Sequence, residues 1–386
     1  MKGGNTILSG FGTTIFEVMS QLALAHGAIN LGQGFPDDRG PADVLREAER
    51  ALREESNQYP SLMGMPQLRQ AVAEHDRRFY GIAADWQREI LVGCGATEII
   101  ASTLLGLIEP GDEVVLFEPL YDSYLPLVRR GGGIPRLVPL QPPEWKISRA
   151  ALEAAFSAKT KLVVLNNPLN PIGKVFDRGE LELIAECALN HDALVLCDEV
   201  YEHLVYDGRP HIPLMVLPGM RDRCVRVGSA GKTFSLTGWK IGYATAAPHL
   251  LQPITRAHQF LTFTVPPNLQ QGVAYGLGKD DSYYQTLANT QQGKRDRLAA
   301  GLKAAGFTVL PTAGTYFLVA DIRPLGFRGD DREFCRYLTQ EAGVTAIPLS
   351  AFYAEASMNH CVRFCFCKQD SLLDEAIARL VRHFGG

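Results

Sequence analysis

The chain has 386 residues, 46% of them hydrophobic and 21% charged, and its 38 basic against 42 acidic side chains leave a formal charge of −4. A dominantly disordered chain is excluded, because this much apolar content can be buried, and no basic face is offered to nucleic acid or anionic lipid. No window approaches about 18 consecutive apolar residues, so no membrane-spanning helix is expected. Residues 1–40 are Gly-rich and irregular apart from helical spacing over 15–26, and the start of the chain leads into no apolar run of the secretory kind. Helical spacing follows over 46–55 and 65–80. A short strand over 89–92 precedes a helix over 97–108, which Glu109-Pro110-Gly111-Asp112 closes before a strand over 113–117. The apolar runs 162–165, 193–197, 224–227 and 241–246 read as buried parallel strands covered on both faces, with a helix over 180–190 between two of them. This alternation predicts an α/β fold with helices on both sides of a sheet. A helix over 291–305 then leads into a block that mixes strands over 316–319 and 361–367 with helices over 332–342 and 372–383. The expected organisation is an N-terminal arm (1–40) that joins a smaller domain, a large domain (41–290), and a small C-terminal α+β domain (291–386).

The chain has eight cysteines and no Cys-x-x-Cys pair. Cys361, Cys365 and Cys367 lie close together, but on a strand they read as small buried thiols, and no metal site is expected. Reduced cysteines suit a cytoplasmic protein. Two motifs look more specific than they are. Gly93-Cys94-Gly95-Ala96-Thr97-Glu98 begins like a dinucleotide fingerprint, but Glu98 stands where the third glycine belongs. It remains a good phosphate cradle, since backbone N–H groups at a helix start attract anions. Gly231-Lys232-Thr233 ends like a phosphate-binding P-loop, but the required upstream glycine is Arg226.

Four expected strand ends carry polar residues that a core would reject. They are Gly95-Ala96-Thr97, Asn166–Gly173, Asp198-Glu199-Val200-Tyr201 and Ser229-Ala230-Gly231-Lys232. In open α/β sheets, ligands bind outside the carboxyl ends of the strands, so these ends are expected to converge on one ligand.

The same segments carry a family resemblance. Ser229-Ala-Gly-Lys232-Thr-Phe-Ser-Leu-Thr-Gly-Trp-Lys240 resembles the lysine motif of class I pyridoxal-phosphate (PLP) aminotransferases. Asn167–Gly173 resembles their Asn-x-Pro-x-Asn-Pro-x-Gly loop, Asp198–Tyr201 their Asp-x-x-Tyr strand end, and Val362-Arg363-Phe364 their arginine strand. The order holds from Asn30–Asp37 to the C-terminal helix. Within the family the likeness is to bacterial methionine aminotransferases and kynurenine/glutamine aminotransferases, through segments such as Gly12–Phe16, Asn57-Gln-Tyr59, Tyr121–Tyr124 and His258–Phe263.

The resemblance implies the PLP-dependent transferase fold type I, with a mainly parallel seven-stranded sheet in the large domain and a smaller α+β domain. It implies that Lys232 binds PLP covalently and moves the substrate proton, and that Asp198 faces the pyridine nitrogen. Tyr201 and Asn170 are implied to face the ring's 3-oxygen, and Tyr121 to stack on the ring. Gly95, Ala96, Thr97, Ser229 and Lys240 are implied to hold the phosphate. Many relatives have Arg at the position of Lys240; lysine keeps the charge but not the bidentate fork. Arg363 is implied to grip the substrate carboxylate, with Gly34 and Asn170 beside it, and Phe16 to line the substrate pocket. The active sites are implied to lie at a homodimer interface, with Tyr59 reaching the partner's phosphate and Phe263 the partner's pocket.

The residues expected around the side-chain pocket, Ile15, Phe16, Tyr59, Tyr121, Phe260 and Phe263, are apolar or aromatic, and no second arginine for an acidic side chain can be assigned. The expected reaction is ping-pong transfer of an amino group from an L-amino acid, methionine above aromatic residues, histidine or glutamine, to a 2-oxo acid. The alternative is a kynurenine/glutamine aminotransferase with β-lyase activity on cysteine S-conjugates, which release of pyruvate without an oxo-acid acceptor would identify. A PLP-binding regulator would want a DNA-binding module that residues 1–40 do not resemble. A nicotinamide dehydrogenase would leave Lys232 unexplained.

Overall fold

A computed structural model describes residues 3–355 and 358–385. In chain order its strands are β1 (Ile29–Asn30), β2 (Ile90–Cys94), β3 (Glu113–Glu118), β4 (Ile134–Pro139), β5 (Thr160–Asn166), β6 (Leu194–Asp198), β7 (Cys224–Ser229), β8 (Ile241–Ala246), β9 (Thr308–Val309), β10 (Phe317–Asp321), β11 (Val344–Thr345), β12 (Ile347–Pro348) and β13 (Cys361–Cys365). Seven of them form a mixed sheet in the order β2-β8-β7-β6-β5-β3-β4. Only β8 runs against its neighbours. The seven-stranded, mainly parallel sheet expected from the resemblance is therefore present.

The pleat sends alternate side chains to opposite faces. Val163, Leu165, Val195 and Cys197 enter one core, while Leu162, Val164, Leu196 and Val225 enter another. Both faces are covered, which explains why these strands read as continuous apolar runs. Because β2, β5, β6 and β7 point the same way, their carboxyl ends open on one edge. Register sets the spacing along that edge: Asn166 lies opposite Asp198, Asp198 opposite Val227, and Ser229 opposite Gly242. The antiparallel β8 begins on the same edge, which brings Lys240 there.

A second, antiparallel sheet has the order β12-β13-β10-β9. In it Arg363 is paired with Val319 on one side and Ile347 on the other. The N-terminal arm is tied to the C-terminal block by the parallel pair β1–β11, which registers Ile29 with Val344. Beyond this pair the chain runs past Gly32 and Gly34 toward the carboxyl edge of the large sheet.

Several elements differ from expectation. The long helix runs Asp281–Ala304 and so begins ten residues before the expected start at 291. Its first half is mostly polar, with Asn and Thr, and does not advertise a helix by apolar spacing. Residue 290 lies inside this continuous helix. The first helix of the 46–55 region starts at Ala42, directly after Pro41. The two prolines of β4 argue against a strand, but β4 sits at the sheet edge, where proline is tolerated. The helix Pro248–Leu261, which carries an internal Pro253, also escaped the sequence pattern. No helix of the described residues is long and apolar enough to cross a membrane.

Candidate active site

The carboxyl edge of the large sheet and the arginine strand of the small one enclose a cavity of about 380 Å³. Its lining includes Phe16, Gly34, Gly95, Ala96, Thr97, Tyr121, Asn170, Asp198, Tyr201, Ser229, Lys232, Lys240 and Arg363. Four strand ends, two loops and the N-terminal arm thus meet where the sequence places a ligand.

Lys232 stands on the short helix Ala230–Thr233, directly after β7. Its Nζ lies 3.4 Å from the Gly34 carbonyl and 5.4 Å from the centre of the Tyr201 ring. The Tyr316 hydroxyl donates to the Lys232 carbonyl at 2.6 Å and fixes its backbone. Burial lowers the proton affinity of the ammonium, with Arg363 adding to the effect and Asp198 opposing it. A neutral amine at Nζ can act as a nucleophile and as a base.

Asp198 ends β6 and is buried. The Tyr124 hydroxyl donates to its Oδ2 at 2.5 Å, and the Val200 amide to its Oδ1 at 3.4 Å. Burial nevertheless outweighs these bonds and pushes the carboxyl up to about 6. A cation or a protonated ring nitrogen placed before it would remove that penalty. Tyr201 follows three residues later and is buried against Tyr316 and Phe317. Tyr121 packs edge-on to Tyr124, with 5.6 Å between ring centres.

Arg363 is buried on β13, where Nη1 donates to Asn170 Oδ1 at 2.9 Å and Nη2 to the Gly32 carbonyl at 2.7 Å. Its guanidinium lies 3.9 Å from the centre of the Phe317 ring and 5.0 Å from Phe16. Nε is buried with no partner, and burial pulls the group down to about 10. Among the described residues no carboxylate is bonded to it. An incoming anion would therefore find a rigid, oriented cation.

The segment Gly95-Ala96-Thr97 opens the helix Gly95–Leu107, so its free N–H groups face the cavity edge. Gly95 has φ +71°, and an added Cβ there would lie 3.2 Å from Lys240 Nζ. On the neighbouring strand, a Cβ on Gly242 would sit 2.5 Å from the Ala96 nitrogen. Lys240 adopts φ 55° and thereby turns into the cradle before β8 begins. Glu98, which breaks the dinucleotide pattern, is used structurally: its Oε2 accepts from the Cys94 amide at 3.0 Å and its Oε1 lies 3.0 Å from His258 Nδ1.

Not every expected residue reaches this cavity. Tyr59 is 82% exposed and packs on Phe263 at 5.4 Å, and Phe260 is 83% exposed. None of the three lines the chain's own cavity, and neither does Ile15. Two further residues of the site, Tyr124 and Phe317, are not assigned to it by the sequence. Tyr124 ends the Tyr121–Tyr124 segment, and its partner Asp198 lies 74 residues away. Cys365 and Cys367 are buried, with 3.2 Å between their sulfurs, as the strand reading expected of small thiols.

Comparison with known proteins gives a consistent result. The family model described as aminotransferase class I and II matches residues 26–380. The structure is similar to that of an N-succinyldiaminopimelate aminotransferase from Mycobacterium tuberculosis, with 45% identity, a TM-score of 0.95, and coverage of 98% of this chain and 99% of that one. It is also similar to an Escherichia coli protein with a methionine aminotransferase function, at 38% identity and TM-score 0.96 over 99% and 100% of the two chains. The kynurenine–oxoglutarate transaminase of Dictyostelium discoideum is 37% identical over 97% of this chain and 95% of its own length.

Proposed function

The chain belongs to the class I and II aminotransferases, enzymes dependent on PLP, and on that premise we propose that it transfers the amino group of L-methionine to a 2-oxo acid by a ping-pong mechanism. Aromatic amino acids, histidine and glutamine are expected as secondary donors. When bound, PLP supplies an electron-poor ring that stores the amino group between the two half-reactions.

The residues present fit that cofactor, and one observation carries the assignment. A buried carboxylate with no cation bonded to it among the described residues, a buried amine of lowered proton affinity and an anion cradle face one cavity. Lys232 would hold the cofactor at Nζ. With its amine free, Nζ would take the proton from the substrate Cα and hold it as the general base of the transfer. Asp198 would hold the ring-nitrogen proton, with Tyr124 fixing its Oδ2. Tyr201 and Asn170 would face the ring oxygen. Gly95, Ala96, Thr97, Ser229 and Lys240 would bind the phosphate. Arg363 orients the substrate carboxylate, with Gly34 and Asn170 against it.

The preference for methionine is supported by what lines the remaining space: Phe16, Phe35, Ile100, Tyr121 and Ile241. A thioether packs well against aromatic rings. A distal carboxylate on the substrate would need a further cation, and Lys232 and Lys240 are committed to the cofactor. Exposure of Tyr59, Phe260 and Phe263 supports a homodimer in which they serve the partner's site. Eight unbridged cysteines suit the reducing cytoplasm. The division into 1–40, 41–290 and 291–386 is kept as part of this reading, with the helix Asp281–Ala304 bridging the last two.

The test is a donor panel with a common oxo-acid acceptor. Methionine is expected to exceed aspartate and N-succinyldiaminopimelate in kcat/KM by about 10²-fold, the scale of selectivity set by pocket contacts. A reversed order would replace the substrate and leave the enzyme class standing. Pyruvate release from a cysteine conjugate without acceptor would reveal β-lyase activity.

A further inference from the structure

Behind the segment that carries Asp198 and Tyr201 lies a second group of charged residues that faces away from the cavity. Arg226 sits in the middle of β7 and is 1% exposed. Its Nε donates to Glu199 Oε2 at 2.7 Å, its Nη1 to Asp76 Oδ1 at 2.5 Å, and its Nη2 to Glu202. The guanidinium also lies 4.7 Å from the centre of the Tyr80 ring. Asp76 is fixed in turn by the Thr245 hydroxyl, which donates to its Oδ2 at 2.6 Å.

Glu199 and Glu202 alternate along the chain with Asp198 and Tyr201. The β-ladder holds this segment only as far as Glu199, whose amide donates to the Val227 carbonyl at 2.9 Å. Past that point the chain turns, and the side-chain bonds of Glu199 and Glu202 to Arg226 tie it to β7. We propose that Arg226 is a positioning residue for the amino-transfer reaction: it clamps Glu199 and Glu202 from behind and so sets where Asp198 and Tyr201 stand in the cavity. This rests on the functional reading above. The planar fork is needed because a lysine is a point donor and cannot serve three carboxylates in three directions. Loosening the clamp leaves buried carboxylates incompletely bonded, which is costly enough to move the segment.

The test compares wild type with Arg226→Lys in three measurements: melting temperature without cofactor, the PLP dissociation constant, and the pH midpoint of the cofactor's visible band. The clamp predicts that R226K weakens PLP binding about tenfold and moves the midpoint by about one pH unit. It also predicts a kcat lowered about 10- to 100-fold with KM within about twofold, the pattern of lost transition-state alignment. Glu199→Gln keeps Arg226 and the packing, and gives the same readouts in the same direction if R226K does not fold. A lower melting temperature with unchanged PLP affinity and band midpoint would make the cluster purely stabilising and overturn the proposal. A wild-type protein with no visible band in the presence of PLP would instead overturn the functional reading.

Discussion

On the cavity side of residues 198–202, Asp198 has a tyrosine hydroxyl and a backbone amide for partners, and burial holds its carboxyl up at about 6. Across the cavity, burial lowers the proton affinities of Lys232 and Arg363, and Arg363 Nε has no partner. On the back of the same segment, Arg226 is bonded to three carboxylates, and burial is outweighed there, so its guanidinium is raised well above its ordinary range. Both regions are buried and both are charged. The difference is that the back cluster bonds its three carboxylates to one shared cation, whereas the cavity keeps its charges apart. Charges held apart in a buried cavity are open to a ligand's complementary groups; charges already paired bind nothing further and act only through the segment they hold in place.

After loss of Lys232 itself, the largest expected effect comes from removing the cavity charge at Asp198. Asp198→Asn is expected to lower kcat about 10³-fold, the scale of losing one preorganised electrostatic partner. The same substitution should stabilise the cofactor-free protein. The folded carboxyl is raised from 3.8 to about 6, so its ionisation opposes folding. That penalty is absent below about pH 4, grows between about pH 4 and 6, and is complete above, where it reaches up to about 3 kcal/mol. Melting curves of both proteins at acid and neutral pH check the sign: they should coincide at low pH and separate above about pH 6. A variant less stable than wild type at neutral pH would mean that Asp198 is already satisfied without a ligand, which would erase the contrast between the two regions.

A smaller effect is expected at Arg363. Arg363→Ala should raise KM for every amino donor alike by about 10²-fold, because the lost contact is to the shared carboxylate. Steady-state kinetics across the donor panel measures this. A loss confined to one donor would move Arg363 from carboxylate recognition to the side-chain pocket.

Much of the cavity was legible because its residues sit at strand ends, where polar side chains after an apolar run have no structural reason to be there. Asn166–Gly173, Asp198–Tyr201 and Ser229–Lys232 all announce themselves in this way. Arg226 enters the sequence reading only as the residue that breaks a P-loop pattern, inside the run Cys-Val-Arg-Val. Its three partners come from positions 76, 199 and 202, and no local pattern predicts that convergence. Tyr124 carries no local signal for the same reason, since its role depends on Asp198 far along the chain. Phe317 reads as strand core and becomes a cavity wall only because β10 pairs with β13. The start of the helix at Asp281 and the proline-bearing β4 were lost to weak local signals that tertiary packing overrides.

The central claim is that Lys232 and its cavity carry out the first half of an amino transfer. The most direct measurement is the visible absorption of the PLP-loaded protein before and after L-methionine, with no oxo acid present, for wild type and Lys232→Ala. The account predicts that methionine abolishes the wild-type band and releases one equivalent of 4-methylthio-2-oxobutanoate, while the variant retains cofactor and releases oxo acid at least about 10⁴-fold more slowly. Oxo-acid release by the variant at the wild-type rate, or no visible band in the wild type after PLP is added, would contradict it.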